Sequence, residues 1–514
     1  MELAPLSNRF LTLEQATEFS VTLSQLLIGL LLPSIQGGHE FIIYLGLIPG
    51  LLAAFGLGWK DKWRWFYAAL FLFSLLFALG PNTPIHRLFY NFVPGFGWVR
   101  TPARMFFVGG LAMAVLSGFG VEHLQRHRWT PQAKRWVIRV GIVVGLSFFL
   151  IGLGLMIGFA QINRATIAIT FLLPIGIILI ILRLHRTVSL TLTTSLLTLL
   201  LFLDLISFDL SMIRFIPSEA ALSPGQATAR YLASKPNLFR IYSPSYSLPA
   251  QTAASFNLQL ADGVEPVHIT RYDQFMARAG GYDDTSFSVT LPPFGDSPPD
   301  SAFEDVEPDL HLLGWLNVEY IVSAFPMSWA GLTLEREIEG TYIYQNNYAR
   351  PRAWITTMTR NTGSDWLGQF AENKNGNSIS IENGIHPIQT ETEKITEPRL
   401  AKITHYSANL IKIQVENNVE GGSWLVLSEI WYPGWRATVN DIPQPVERVN
   451  GLLRGVFLTE GGTSEIEIFY QPATIVWGSW LTGVTSGGLI LWGILAIIQH
   501  KRAGITTTNK LHRE

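Results

Sequence analysis

The sequence predicts a polytopic α-helical membrane domain joined to a large extracytoplasmic α+β domain that ends in a β-sandwich, followed by one C-terminal transmembrane helix. Three observations carry this expectation. Long apolar runs cluster before residue 210 and return once after residue 474; residues 209–474 hold none; and period-two alternation sets in near residue 400. Composition agrees: 15% of the 514 residues are charged and 48% hydrophobic, with a mean hydropathy of +0.26. A soluble domain carries roughly 25% charged residues, so a soluble globular protein is all but excluded. The 37 basic and 39 acidic residues nearly cancel, which gives no reason to expect nucleic acid as a partner. Cysteine is absent, excluding disulfides, thiolate zinc sites, iron–sulfur clusters and a Cys nucleophile.

Residues 1–40 read as an external or re-entrant segment. The opening MELAPLSNRF has neither a basic n-region nor a short apolar h-region, so it is no signal peptide. Phe19–Gln36 is weakly apolar, interrupted by Ser20, Thr22, Ser24, Gln25 and Pro33; spanning, re-entry and an interfacial position all remain open. Residues 41–208 predict a transmembrane domain of six helices: Phe41–Gly58, Trp65–Gly80, Ala103–Val121, Trp136–Ala160, Ala165–Leu182 and Val188–Phe208. Residues 475–498 give the last helix, and 499–514 a cytoplasmic tail.

Orientation follows from Lys and Arg in short loops. Lys60, Lys62 and Arg64 share one loop, Arg126, Arg128, Lys134 and Arg135 another, Arg183 and Arg186 a third, and Lys501 and Arg502 follow the last helix. Alternation puts all four on one side, the cytoplasmic one. The expected location is the plasma (inner) membrane, with residues 209–474 outside. Trp59, Trp63, Trp65, Trp98, Trp129, Trp136, Trp477 and Trp480 lie near predicted helix ends, as an aromatic belt requires.

Residues 209–399 mix short helical and strand patterns, an extracytoplasmic α+β region. Between 257 and 310 carboxylates such as Asp262, Asp273, Asp284, Asp296 and Asp309 outnumber Arg271 and Arg278. They are scattered without EF-hand spacing, so a solvated acidic loop competes with a cation site. Residues 400–474 predict the sandwich. Leu410–Val415 and Ser464–Tyr470 alternate, Trp424–Leu427 is continuously apolar as a buried strand would be, and Gly421-Gly422 and Gly461-Gly462 signal turns.

No P-loop, HExxH or GxSxG occurs. Gly141/Gly145 and Gly154/Gly158 sit in an apolar helix, where such spacing favours close helix packing over a cofactor loop. The loop 81–104 is richer. Arg100 and Arg104 lie about one helical turn apart, with Pro102 placed to begin a helix. Guanidinium forks at a helix N-terminus suit a lipid phosphate; snorkelling arginines are the plainer alternative. His86 and Arg87 are weaker additions. Asp204 and Asp209 near a helix end suit a general base or metal ligand on one account, a helix-end hydrogen bond on another. The aromatic turn Trp431–Arg436 offers Trp435 as a sugar-stacking platform if exposed, or a sandwich corner if buried.

Several stretches, taken in order, resemble the YfhO-like bacterial membrane proteins of the GT-C glycosyltransferase superfamily. They are Tyr44-Leu45-Gly46-Leu47; Leu79–Pro84 leading into Val99–Arg104; Asp204-Leu205; Asp262–Pro266 with Arg271-Tyr272; Tyr344-Gln345-Asn346 with Arg350-Pro351-Arg352-Ala353; Trp431–Trp435; and Asn450–Arg454 followed by Tyr470-Gln471-Pro472. The resemblance implies an enzyme that takes a sugar from a polyprenyl-phosphate carrier and passes it to a cell-envelope acceptor. It implies Arg100 and Arg104 as donor-phosphate contacts and assigns no catalytic base; His86 and Trp435 join the expected substrate contacts from the residue readings above. It also implies that the family's first helices and their acidic loop are missing, which leaves two expectations: a truncated reading frame, or half of a split protein completed by a separate N-terminal membrane subunit. The cofactor stays open, a divalent metal being compatible with such transfer. Membrane lipid is the other expected partner. The competing expectations are a non-catalytic membrane scaffold presenting a carbohydrate-binding or interaction domain and, third, a transporter or flippase.

Overall fold

The computed structural model describes residues 3–31, 41–127, 129–158, 167–213, 215–283, 288–295, 297–356, 358–361, 365–373, 378–382, 399–417, 422–459 and 461–511. The chain divides into two compact units, one of residues 9–217 and one of residues 1–8 with 218–514.

The first unit is helical. Phe106–Arg126, Pro131–Gly158 and Leu190–Met212 are its long helices. Pro131 opens the second, where a missing N–H costs nothing, and Ser189 caps the third by accepting from Leu192 N at 3.3 Å. Trp63–Ala78, Leu47–Gly56 and Leu173–Leu184 are shorter. The run expected over Phe41–Gly58 becomes helical only at Leu47, because Gly46 turns the chain with φ +91°. A Cβ there would sit 2.8 Å from Pro49 Cδ, so the turn requires glycine. Helix Leu23–Leu31 occupies part of the weak Phe19–Gln36 run; residues 32–36 lie outside the described residues, as do Asp284 and Asp296. Counting the Pro102–Met105 turn, three helices of this unit and Ala473–Ile498 of the other are long and apolar enough to cross a membrane, consistent with a membrane protein.

Glycines set the closest packing in this unit. A Cβ on Gly56 would collide with Leu116 O, and one on Gly120 with Leu52 O, so helices Leu47–Gly56 and Phe106–Arg126 meet backbone to backbone. Ser117 Oγ adds a 2.8 Å hydrogen bond to Pro49 O across the same seam. Of the GxxxG pairs noted in sequence, Gly141 and Gly145 pack on Ile177, while Gly154 faces open space.

The second unit is β-rich and carries three main sheets. The first holds β1 (Arg240–Tyr242), β2 (Gln259–Leu260), β5 (Val318–Ser323), β6 (Leu332–Ile338) and β7 (Thr341–Asn346) in the order β2-β1-β5-β7-β6. Its β1 pairs are parallel and the remainder antiparallel. Helices Gln226–Ala233, Ala250–Ser255, Thr270–Gly280 and Leu310–Trp315 accompany it. A short pair, β3 (Gly263–Val264) and β4 (Thr290–Leu291), stands apart.

The other two sheets form a sandwich. One contains β8 (Ala353–Thr356), β9 (Met358–Asn361), β10 (Ser378–Ile381), β11 (Arg399–Leu400), β14 (Ser423–Ile430), β17 (Glu447–Val449) and β18 (Leu453–Leu458), ordered β11-β8-β14-β18-β17-β10-β9. The second contains β12 (Lys402–Tyr406), β13 (Leu410–Asn417), β15 (Trp435–Val439), β16 (Ile442–Gln444) and β19 (Gly462–Tyr470), ordered β12-β13-β19-β15-β16. The two alternating segments pair directly, Leu410 opposite Phe469 and Val415 opposite Ser464. The seven-stranded sheet draws β8, β9 and β10 from before residue 400.

This sheet is buried on both faces. Ala353, Ile355, Leu425, Leu427, Val456 and Leu458 pack inside the sandwich with Ile411, Ile413, Ile466 and Ile468. The alternate residues Trp354, Trp424, Val426, Leu453 and Phe457 pack in a second core with Phe275, Leu313 and Trp315. Period-two geometry explains why β14 reads as continuously apolar: its odd and even residues serve different cores. After β19 the chain enters helix Ala473–Leu511, whose apolar stretch Ala473–Ile498 is unburied.

Candidate functional site

The residues singled out in the sequence lie in both units. His86, on helix Pro84–Phe92, is 1% exposed, with its ring 5.2 Å from that of Phe77 and 5.8 Å from that of Phe96. Burial pulls its pKa down, so it is a neutral core histidine. Pro102 begins the next helical turn as its position predicts. Arg100 precedes it, paired with Glu18 and lying 4.7 Å above the Phe19 ring. Arg104 is exposed within the turn.

Asp204 is buried and serves a helix end. Its Oδ2 accepts from Leu47 N at 2.7 Å and Ile48 N at 3.2 Å, and its Oδ1 from the Tyr44 hydroxyl. Gly46 has no side chain to cap Leu47–Gly56, so a carboxylate from helix Leu190–Met212 supplies the cap.

Trp435 is half-buried. The Arg454 guanidinium covers its ring at 3.6 Å, Tyr470 lies at 5.3 Å, and the sandwich core lies against it. The aromatic turn is therefore a sandwich corner. Trp431 Nε1 donates to Val446 O at 3.1 Å, and Gly434, at φ +96°, lies where a Cβ would sit 2.9 Å from Pro472 Cβ. Carboxylates of the acidic stretch do local work: Asp309 caps helix Leu310–Trp315, and Asp273 pairs with His268 at 2.9 Å. No group of three or more His, Asp or Glu placed to hold a metal occurs among the described residues.

A site that none of these residues marks opens in the β-rich unit between the first sheet and the sandwich. It is a cleft of about 880 Å³. Asn317, Glu319 and Gln345 come from the first sheet and its approach, Arg350 and Arg352 from the segment entering β8, and Lys402, His405 and Tyr406 from β12. Arg350, Arg352, Lys402 and His405 thus share the lining with one carboxylate, Glu319, among side-chain amides. Lys402 and His405 are exposed at the rim.

Beneath the cleft lies a charged cluster. Glu429, 9% exposed, is met by Arg240 Nη2 at 3.1 Å, Arg352 Nε at 3.1 Å and the Tyr406 hydroxyl at 2.8 Å. Burial raises the Glu429 pKa, but Arg240, Arg352 and Arg454 outweigh it and hold the carboxyl below the ordinary range. Burial lowers Arg350, Arg352 and Arg454 to about 10, which leaves them protonated at neutral pH. Arg350 also stacks 3.9 Å over Trp315. One carboxylate against three guanidinia leaves a buried positive excess.

Two polar atoms on the cleft wall lack hydrogen-bond partners: Arg352 Nη1, a donor, and Asn317 Oδ1, an acceptor. Arg352 is otherwise fixed, with Nη2 donating to Gln259 Oε1 and, at 3.3 Å, to the Tyr406 oxygen. Asn317 Nδ2 donates to Arg350 O at 2.7 Å, which ties the two sides of the cleft together. A rigid donor and acceptor beside further cations suit a hydroxylated ligand carrying negative charge. In sequence the traces were Tyr344-Gln345-Asn346 and Arg350–Ala353, noted among the stretches of the resemblance; Glu429 and Arg240 lie far from them along the chain. The chain matches no family model, no curated protein and no solved structure.

Proposed function

We propose that this chain is a glycosyltransferase-like membrane protein of the cell envelope whose β-rich unit recognises a polar, negatively charged saccharide acceptor outside the cytoplasm. The observation that carries the saccharide reading is the cleft bounded by Arg350, Arg352, Asn317 and Tyr406, where the donor Arg352 Nη1 and the acceptor Asn317 Oδ1 stand without partners. Buried polar groups without partners cost about 1–3 kcal/mol each, so a ligand that satisfies them gains affinity from groups already held in place. Transfer of a sugar from a polyprenyl-phosphate carrier rests on the YfhO-like resemblance, with Arg104 the more accessible of the two arginines proposed for the donor phosphate.

One observation favours the non-catalytic alternative, a scaffold that binds the glycan without modifying it. Arg100 is occupied by Glu18, and His86 is enclosed in aromatic rings. The two readings separate in a single experiment on the full-length protein in nanodiscs. Binding of acidic envelope polysaccharide fragments is measured by calorimetry, and sugar transfer from a radiolabelled polyprenyl-phosphate donor in the same preparation. Lys402→Glu with His405→Ala changes only exposed rim positions and is expected to weaken binding at least tenfold. Binding together with transfer supports the enzyme; binding alone supports the scaffold. No saccharide bound by the wild type, or equal binding by the rim variant, refutes the cleft.

A further inference from the structure

The helical unit contains a second cavity, remote in character from the saccharide cleft. It is a crevice of about 590 Å³ walled by Leu51 and Phe55, by Val140 and Val144 and by Ile177 and Ile181, from three different helices. Its walls are almost wholly apolar except at one end. There His123 and Trp129 close it, with their rings 5.0 Å apart, and His127 stacks 4.5 Å from His123.

Three buried nitrogens at this end have no hydrogen-bond partner: His123 Nδ1, Trp129 Nε1 and Arg64 Nε. His123 is 5% exposed, and the Arg64 charge acts on it. Gly58, also on the crevice wall, gives His123 room: a Cβ there would sit 3.0 Å from His123 Nε2. Lys60, Lys62 and Arg64 share a short loop with Asp61, and Arg126, which follows His123 on its helix, is paired with Glu122 at 3.2 Å. An apolar slot with unpartnered nitrogens at one end, within reach of the Arg64 charge and a basic loop, has the form of an amphiphile with an acyl tail and an acidic head.

We propose that this crevice is a specific site for an anionic phospholipid, its acyl chain between the three helices and its phosphodiester against Arg64, His123 and Trp129. The charge at the mouth selects an acidic head over a zwitterionic one, because a head that carries its own cation gains less from Arg64 and the neighbouring lysines. The apolar walls select a lipid over a soluble phosphate. The loop carrying Lys60, Lys62 and Arg64 is the basic kind that attracts acidic bilayer lipids, which favours a phospholipid over a scarce isoprenoid carrier.

The test uses the full-length protein, delipidated and returned to mixed micelles of phosphatidylglycerol and phosphatidylcholine, with bound lipid counted by native mass spectrometry. The expected result is one retained phosphatidylglycerol, favoured over phosphatidylcholine at least fivefold. Arg64→Gln should remove the preference. Val140→Trp, which fills the slot at an exposed position without touching the nitrogens, should remove retention altogether. Size-exclusion profiles identify any variant that fails to fold, and the other variant then decides. Equal retention of both phospholipids, or unchanged selectivity in a folded variant, overturns the proposal. Preferential retention of polyprenyl phosphate over phosphatidylglycerol in a competing arm overturns the phospholipid as occupant.

Discussion

Replacing Glu429 by Gln tests the account of the charged cluster most directly. The substitution keeps the shape of the side chain and one carbonyl acceptor, so the Tyr406 hydroxyl keeps a partner. What disappears is the carboxylate charge that opposes Arg240 and Arg352, both within 3.1 Å, and the more distant Arg454. Breaking a buried ion pair from one side costs about 3–5 kcal/mol, because the remaining charge stays desolvated. A domain of this size loses roughly 2–4 °C of melting temperature per kcal/mol. Tryptophan-monitored melting of the full-length protein in detergent should therefore show the transition of the β-rich unit fall by at least roughly 6 °C. The pH dependence supplies a second readout. The folded-state pKa of Glu429 lies below its unfolded value, so its contribution is present above the unfolded pKa, about 4.3, and fades as pH falls through the folded one. Wild type and Glu429→Gln should converge in acid. Adding Arg352→Gln should recover part of the loss, since one surplus guanidinium is then gone. A drop below about 1 kcal/mol at neutral pH, with no convergence in acid, refutes the reasoning.

Asp204→Ala should destabilise the helical unit by about 2–4 kcal/mol, combining a lost helix cap with a Tyr44 hydroxyl left buried; thermal aggregation of solubilised protein checks it, and a shift of under 1 kcal/mol would contradict the cap. Gly120→Ala should exceed the usual overpacking cost of about 1–3 kcal/mol, because the added methyl meets the Leu52 carbonyl rather than a yielding side chain, whereas Gly154→Ala should be nearly neutral. Asp262 is pushed up to about 8 by burial, with Ser243 N donating to Oδ2 at 2.9 Å and Oδ1 unpartnered. The folded state therefore holds a proton that the unfolded chain releases above about pH 4, so this residue makes stability fall as pH rises from about 4 towards 8. Asp262→Asn should flatten that slope in denaturant titrations at a series of pH values.

Much of the architecture was legible because apolar periodicity reports burial directly. The alternating segments 410–415 and 464–470 are paired strands, and the apolar run 424–427 is a strand buried on both faces. Pro102 marked a helix start. The lengths of the early helices were less legible: one Gly46 with positive φ delays a helix that hydropathy alone would begin at Phe41. The seven-stranded sheet was harder still, since β8 and β10 pair with partners far away in the chain and carry no local sign of it. The cleft was the least visible. Its unpartnered atoms come from Arg352 and Asn317, its counter-ion from Glu429, and its lip from Lys402 and His405; only folding brings these together. Arg100 and His86, conspicuous in the sequence, satisfy each their own surroundings instead, one with a carboxylate and the other among phenyl rings.

The strands β8, β14 and β18 act as a party wall with furnished rooms on either side. A fragment cut at residue 400, where the sequence pattern invites the cut, would retain β14 and β18 but lose β8 and the neighbours that cover Trp424, Val426, Leu453 and Phe457. Such a piece would carry an oily exterior and clump, so anyone seeking a manageable recombinant portion should start well upstream and keep both rooms intact.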